Sequence, residues 1–234
     1  MKTLHKNSER LVTKVFKDVF DKYDLMNDLM SLGIHRLWKK DFIDWLNPQK
    51  NSILIDVASG TGDIAKLYLD KINSIGEVIC VDENKGMLSL SKKKFEAEKN
   101  IKWFCNNAEK LPFKNNYFDY YTISFGIRNV SSLDAALKEA YRVLKPGGRV
   151  LCLEFSKVKT DALNKFYKIY SKSIPQIGKF IVGKSEPYKY LIDSIEKFYS
   201  QEEFLDKIKK QNFSNASYRN LSGGIVAIHS AWKI

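Results

Sequence analysis

The spacing of apolar residues along the chain changes near residue 50. Before this point apolar side chains recur every three to four positions, for example at Leu11, Val15 and Val19, which predicts helices between residues 8 and 46. After it, short apolar runs alternate with amphipathic stretches. The pattern predicts strands at residues 53–57, 77–82, 101–105, 118–124 and 149–155, with helices at 63–71, 84–97 and 132–144. Such alternation predicts a mostly parallel sheet covered on both faces.

The C-terminal third has a different pattern. Helical spacing recurs at residues 163–177, 189–198 and 202–210, and two apolar runs at 213–219 and 225–232 flank the turn-forming stretch Asn-Leu-Ser-Gly-Gly. Five parallel strands followed by a hairpin is the arrangement of class I methyltransferases. We therefore expect an α/β fold with a Rossmann-like, seven-stranded, mostly parallel sheet and a C-terminal antiparallel hairpin. We expect one domain over residues 1–234.

The loop after the first predicted strand, residues 56–63, consists mostly of small residues with an acid at each end. Its sequence, Asp-Val-Ala-Ser-Gly-Thr-Gly-Asp, lacks the Gly-Lys-Ser/Thr ending of a nucleoside-triphosphate loop and the G-x-G-x-x-G pattern of a pyrophosphate turn. The carboxylates of Asp56 and Asp63 disfavour a diphosphate. They suit S-adenosylmethionine, which carries a sulfonium and an ammonium cation. Gly60 lets a cofactor lie against the backbone.

Two later loops complete the predicted cofactor site. The second strand ends at Asp82, where a carboxylate can accept hydrogen bonds from both hydroxyls of a ribose. Residues 106–113 follow the third strand, where an asparagine amide addresses the adenine edge while Leu111 and Phe113 cover the ring. Ligands of open α/β sheets bind at the carboxyl ends of the strands, so we expect these loops to meet.

The chain is globular in composition and strongly basic. Its 234 residues include 39 Lys and Arg against 27 Asp and Glu, a formal net charge of +12. Three widely spaced cysteines and three unpaired histidines predict neither a disulfide framework nor a metal site. The apolar runs are too short for a membrane-spanning helix, and charged residues near the start exclude a signal peptide.

The positive charge is concentrated in residues 157–184, which contain seven lysines and one acid, interleaved with aromatic and aliphatic residues. Such a segment suits an anionic membrane surface. Nucleic acid is the rival polyanion, and a solvated helix face is the alternative that needs no partner.

Strings in five places resemble one family. Residues 23–38, from Tyr-Asp-Leu-Met-Asn through His35 to Trp38, and residues 142–156, from Arg-Val-Leu-Lys-Pro-Gly-Gly to Glu-Phe-Ser, resemble the two signatures of the ubiquinone/menaquinone biosynthesis C-methyltransferase family. Phe-Gly-Ile-Arg-Asn-Val at 125–130, Tyr-Lys-Tyr-Leu at 188–191 and Gly-Gly-Ile-Val-Ala-Ile-His at 223–229 also match. Ser59 stands where many members have glycine, and its small side chain is tolerable there.

The resemblance implies methyl transfer from S-adenosylmethionine to a ring carbon of a polyprenylated benzoquinol or naphthoquinol, leaving S-adenosylhomocysteine. It implies that the cofactor is contacted by Thr61, Asp82, Asn107, Ala108 and Ser124. Asp56 and Gly60 line the same loop. It divides the chain into a helical lid (residues 1–50), a cofactor-binding core (51–156), a helical acceptor-site and membrane-facing segment (157–211) and the hairpin (212–234).

The lid and acceptor residues follow from the same resemblance. The lid and substrate candidates are Tyr23, Met26, Asn27 and His35, and the acceptor-pocket candidates are Tyr188 and Tyr190. His35 is either a pH-tuned base or, as we prefer, the holder of a structural hydrogen bond. Which quinol is methylated stays open.

Arg128 and Asn129 are the catalytic candidates, because they follow the fourth strand at the cofactor edge of the sheet. An arginine keeps its proton, so Arg128 cannot be the base that ionises a phenol. Its guanidinium can stabilise the developing phenolate or polarise a water that takes the proton, with Asn129 orienting that water.

The expected partners are the quinol, the membrane surface and other quinone-biosynthesis enzymes. No nucleic-acid partner is expected, since the chain lacks the Asp/Asn-Pro-Pro-aromatic loop of amine methyltransferases and a cysteine after a proline. The lid signature begins near Met1, which favours a bacterial cytoplasmic protein at the membrane surface over a mitochondrial precursor. The alternatives are a methyltransferase of another phenolic or lipid acceptor and a catalytically silent scaffold.

Overall fold

One sheet organises the part of the chain that the computed structural model describes, which is residues 28, 31, 33–161, 167, 170, 173–176, 179 and 185–234. Its strands are β1 (Ser52–Val57), β2 (Gly76–Asp82), β3 (Ile101–Cys105), β4 (Phe118–Ser124), β5 (Leu144–Phe155), β6 (Ser214–Leu221) and β7 (Val226–Trp232). Their order is β3-β2-β1-β4-β5-β7-β6. β1 to β5 pair in parallel, and β7 pairs antiparallel with both β5 and β6. The predicted fold class, with its C-terminal hairpin, is confirmed.

Helices cover both faces of the sheet. They are α1 (His35–Leu46), α2 (Asp63–Lys71), α3 (Lys85–Lys94), α4 (Leu133–Val143), α5 (Glu186–Lys197) and α6 (Gln201–Lys209). α1 and α2 bury their apolar stripes with Leu54 on one face, whereas Ile55 and Val57 pack with α4 and α6 on the other. β1 is thus buried on both faces, as a central parallel strand should be. With both faces of the sheet covered, the loops at the carboxyl ends of the strands form the edge at which a ligand can bind.

The start of β5 differs from the prediction. We expected Pro146, Gly147 and Gly148 to stop a helix and the strand to begin at residue 149. Instead α4 ends at Val143 and Leu144 already pairs with Phe118. The glycines stay in the sheet because Gly147 N–H donates to the carbonyl of Lys233, at 2.7 Å, and Lys233 N–H donates to that of Gly148, at 2.9 Å.

Other element ends shift by a few residues for local reasons. α3 begins after Asn84, whose side chain accepts hydrogen bonds from the backbone N–H groups of Gly86 and Met87, and it ends at Lys94 rather than at residue 97. α5 begins at Glu186, three residues earlier than predicted, because Pro187 is compatible with the first helical turn. Within the described residues, no helix is both long enough and apolar enough to cross a membrane.

Candidate active site

A cavity opens at the carboxyl ends of β1 and β4. The loop between β1 and α2 forms one wall and the end of β4 with the residues after it forms another. Helix α1 contributes the side chain of Lys39. Its lining residues are Lys39, Asp56, Ala58, Ser59, Thr61, Asp63, Ile64, Ser124 and Phe125. The structure therefore brings Asp56, Thr61 and Ser124, which the sequence assigned to the cofactor, onto one surface.

The two loops at this cavity come unusually close together. Ala58 and Phe125 both have a positive φ, at 53° and 56°, a conformation that costs a residue with a side chain about 1–3 kcal/mol. A Cβ on Gly126 would lie 2.4 Å from the Cβ of Ala58, so only glycine fits there. Strain of this kind is concentrated at binding sites, where the surrounding fold holds it in place.

Polar atoms without partners face the same place. Asp56 Oδ1 accepts a hydrogen bond from the Thr122 hydroxyl at 2.8 Å, whereas its Oδ2 is buried without a partner among the described residues. The Ser124 hydroxyl is likewise buried without a partner among the described residues. Burial raises the pKa of Asp56 to about 7. Such acceptors fit a bound group that supplies N–H or O–H donors and positive charge, as the amino-acid end of S-adenosylmethionine does.

An ion pair also lines the cavity. Lys39 Nζ is 2.8 Å from Asp63 Oδ2, and Lys94 Nζ is 3.2 Å from Oδ1 of the same carboxylate. Although burial raises the pKa of Asp63, the two ammonium groups hold it down at about 2. Lys39 is only 8% exposed, so this pair is largely shielded from water.

Asp82 lies beside the cavity and fastens the glycine turn. Its Oδ2 accepts from Gly60 N–H at 2.9 Å, and its Oδ1 accepts from Asn84 N–H at 2.8 Å. Burial raises its pKa, and these two hydrogen bonds oppose that effect. Each carboxylate oxygen retains a second lone pair for a ribose hydroxyl.

The adenine candidates follow β3, two strands away from β1. Asn107 is exposed, and its Oδ1 accepts from Glu109 N–H at 2.6 Å, while Ala108 is buried. Neither lines the cavity. The strand order nevertheless places both on the edge where β1 and β2 end. The predicted cofactor residues therefore lie along one edge of the sheet.

Arg128 is held in a buried network. Its Nη1 donates to Glu154 Oε1 and to the carbonyl of Phe125, both at 2.7 Å, and its Nε donates to the Ser194 hydroxyl at 3.3 Å. The side chains of Arg128 and Glu154 are 5% and 1% exposed. Burial raises the pKa of Glu154, and the guanidinium opposes this shift. Because Phe125 lines the cavity, the network adjoins the cofactor site.

Asn129, the other catalytic candidate, contacts helix α5. The Tyr190 hydroxyl donates to Asn129 Oδ1 at 3.1 Å, so α5 is joined to the loop after β4. Tyr188, two residues earlier, is fully buried in the core, and its hydroxyl has no partner among the described residues. The two predicted pocket tyrosines therefore occupy different environments.

Three of the predicted lid residues, Tyr23, Met26 and Asn27, lie outside the described residues. His35 is described and buried: its Nδ1 is 2.9 Å from the Ser31 hydroxyl and 3.6 Å from the Asp28 carboxylate. Burial lowers its pKa. It is not among the described residues that line the cavity.

Trp38 contacts segments of the chain that are far apart in the sequence. Its indole N–H donates to the Ser222 hydroxyl at 2.9 Å, and its ring packs against those of Phe125 and Phe155. Trp38, at the end of the predicted lid string, thus contacts the segment after β4, the end of β5 and the segment before β7.

Sequence reasoning gave no role to two residues of the site. Lys39 lies directly after Trp38, and a lysine in an amphipathic helix carries no signal that it is buried. Glu154 was included only as part of a matching string. An acid within the otherwise apolar end of a predicted buried strand was the available signal, because such a charge needs a partner.

Comparisons with known proteins find related sequences over nearly the whole chain. Residues 3–233 match the model of the ubiE/COQ5 methyltransferase family. The chain is 54% identical over 233 residues to a ubiquinone/menaquinone biosynthesis C-methyltransferase of Rickettsia bellii, covering 97% of this chain and 94% of the relative. It is 55% identical over 232 residues to that of Rickettsia prowazekii, covering 96% and 93%.

Solved structures show the same fold at low sequence identity. A S-adenosylmethionine-dependent methyltransferase of Thermotoga maritima superposes with a TM-score of 0.68 at 21% identity, covering 94% of this chain and 99% of the other. The phosphoethanolamine N-methyltransferase 2 of Haemonchus contortus, solved with S-adenosylmethionine, has a TM-score of 0.62 at 16% identity, covering 84% and 52%. With the family model spanning nearly every residue, the chain belongs to the ubiE/COQ5 methyltransferase family.

Proposed function

We propose that the protein transfers a methyl group from S-adenosylmethionine to a ring carbon of a polyprenylated quinol, in ubiquinone or menaquinone biosynthesis. One observation carries the reaction: the chain shares 54% of its residues, over almost its whole length, with a relative named for C-methylation in this biosynthesis. Family membership makes it a methyltransferase with S-adenosylmethionine as cofactor. The cavity chemistry, with buried acceptors facing a site for a cation, supports the same conclusion.

The bound cofactor supplies an electrophilic methyl group on a positively charged sulfur. Asp56 and Ser124 have buried, unpartnered oxygens that would accept hydrogen bonds from its ammonium group, and Thr61 lines the same wall. Asp82 would take the ribose hydroxyls through its remaining lone pairs, while holding Gly60 in place. Asn107 and Ala108 would contact the adenine at the end of β3.

Arg128 would stabilise the negative charge that develops on the quinol oxygen. Its guanidinium stays protonated, so its role is electrostatic, directly or through a water that takes the phenolic proton. Glu154 and the Phe125 carbonyl fix its position, so little reorganisation is needed when charge develops. Asn129, anchored by Tyr190, would orient the water or the quinol oxygen.

The tyrosines of α5 would then have separate tasks. Tyr190 reaches Asn129 and would border the quinol ring, whereas the fully buried Tyr188 would support the pocket wall by packing. The buried position of His35 and its contact with Ser31 support a structural role. For this reason we propose no proton transfer through His35.

The decisive experiment is an assay of the purified enzyme with trideuteromethyl-labelled S-adenosylmethionine. The acceptors are a 2-polyprenyl-6-methoxy-1,4-benzoquinol and a demethylmenaquinol, and mass spectrometry locates the label. We expect the label on a ring carbon of at least one quinol. The matching oxidised quinones, which carry no phenolic proton, serve as controls and should stay unlabelled. Labelling of a hydroxyl oxygen, or of an unrelated phenol instead of both quinols, would contradict the proposal.

We also propose that the protein works at a membrane surface, because a polyprenyl tail resides in the bilayer. The lysines of residues 157–184 support this. Among those that the structure describes, Lys157 donates to the Ile195 carbonyl and Lys159 pairs with Glu202. Flotation with anionic liposomes at low salt should recover the protein, and neutral liposomes or high salt should not. Equal recovery, or none, from both liposome types would argue against an electrostatic attachment.

A further inference from the structure

Lys39 is the one cation among the described residues that line the cavity. The other charged groups of the lining are the carboxylates of Asp56 and Asp63. A cofactor that presented only positive charge would gain from the acids and be repelled by the lysine. A buried lysine is therefore the feature of this cavity that the sulfonium and ammonium groups leave unexplained.

The lysine is held with hydrogen-bonding capacity to spare. Its Nζ carries three N–H donors, one of which binds Asp63 Oδ2 at 2.8 Å. Asp63 itself is anchored by Lys94, which binds the other carboxylate oxygen at 3.2 Å. Lys39 belongs to α1, whose Trp38 is fixed by Ser222, Phe125 and Phe155, so its backbone is well positioned.

From this arrangement we infer that Lys39 binds the α-carboxylate of S-adenosylmethionine, with Asp63 as the residue that positions it. The amino-acid end of the cofactor is a zwitterion, and the cavity presents a complementary pair of charges. The unpartnered oxygens of Asp56 and Ser124 match the ammonium, and the Lys39 ammonium matches the carboxylate. Charge-assisted hydrogen bonds in a site shielded from water are the strong kind.

The inference is tested by binding rather than by turnover. Calorimetry compares S-adenosylhomocysteine with the amine that remains when its carboxylate is removed, S-adenosyl-3-thiopropylamine. We expect the wild-type protein to bind the carboxylate ligand at least about tenfold more tightly. In Lys39→Met this preference should fall to about twofold or less, mainly through weaker binding of the carboxylate ligand. Lys39→Arg should restore part of it.

Lys94→Met is the matched control, because it removes the other cation from Asp63, and Lys94 itself is not among the residues that line the cavity. It should keep the wild-type preference, and thermal unfolding checks that each variant is folded. The inference is overturned if Lys39→Met keeps the preference, if it weakens both ligands equally, or if Lys94→Met alone abolishes the preference. None of these results depends on which quinol is methylated, so a failure here leaves the proposed function intact.

Discussion

Arg128 and Glu154 form an ion pair at 2.7 Å in which both side chains are almost completely buried. The pair joins the loop after β4 to the C-terminal end of the adjacent strand β5. Removing a charge from water is costly, so a pair like this persists only if each partner satisfies the other. Its consequences for stability and for catalysis can be separated.

Breaking the pair from the acid side should destabilise the fold. We expect Glu154→Ala to lower the free energy of unfolding by about 3–5 kcal/mol, because it leaves the guanidinium buried without its partner. Urea denaturation measures this. Asp44→Ala breaks the exposed pair with Lys71 and should change stability by less than about 1 kcal/mol. Similar values for the two variants would mean that the buried pair is not essential to the fold.

Removing the guanidinium should affect the chemical step. We expect Arg128→Met to reduce kcat by about 10²–10³-fold, the usual loss when one preorganised donor to a developing oxyanion is removed. The dissociation constant of S-adenosylmethionine should stay within about twofold, since the cofactor contacts are elsewhere. Stopped assays and calorimetry measure the two quantities. Unchanged kcat in a folded Arg128→Met variant would remove this residue from the mechanism.

Asp56 should make stability depend on pH. Its pKa of about 7 in the folded protein exceeds its ordinary value of 3.8, so the folded state holds the proton over a range where the unfolded state has lost it. Below about pH 4 both states are protonated, so the carboxyl does not lower the free energy of unfolding. As pH rises from about 4 to 7 the unfolded state loses the proton that the folded state keeps, and the protein is progressively destabilised; above pH 7 the loss is complete. Relative to Asp56→Asn, the wild-type protein should lose roughly 4 kcal/mol between pH 4 and pH 8.

Unfolding of both proteins across this range tests the sign directly. Burial lowers the pKa of His229 to about 4, which gives stability the opposite trend as pH rises. That contribution is common to both proteins and cancels in the comparison. A difference that does not change with pH would contradict the assignment of a raised pKa to Asp56.

Gly126 should be required for the cavity to form. In Gly126→Ala the new Cβ would meet the Cβ of Ala58 at 2.4 Å, and we expect a loss of about 1–3 kcal/mol in stability with weaker cofactor binding. Adding Ala58→Gly removes the opposing Cβ and also suits the positive φ at that position. Thermal unfolding and calorimetry should show recovery in the double variant. A double variant no better than Gly126→Ala would show that the two loops are not in contact in this way.

The class of fold and most of the loop after β1 could be predicted from the linear sequence. Strand and helix periods are local, so the parallel sheet, the hairpin and the loop at residues 56–63 could be predicted from neighbouring residues alone. The strings that resemble the family also lie in the linear sequence. The predicted start of β5 was wrong, because the hydrogen bonds of Gly147 and Gly148 come from Lys233 at the far end of the chain.

Which charged side chains pair with each other depends on the assembled fold. Lys39 and Asp63 are 24 positions apart, and Arg128 and Glu154 are 26 apart, on elements whose contact depends on helix packing and strand order. The spacing of apolar residues does not show how deeply a lysine of α1 is buried. Nor does it show which buried acid pairs with the arginine that follows the neighbouring strand. Buried charges must be paired, and the assembled fold determines which charges can pair. For this reason the Lys39–Asp63 pair and the Arg128–Glu154 pair could not be predicted from local sequence.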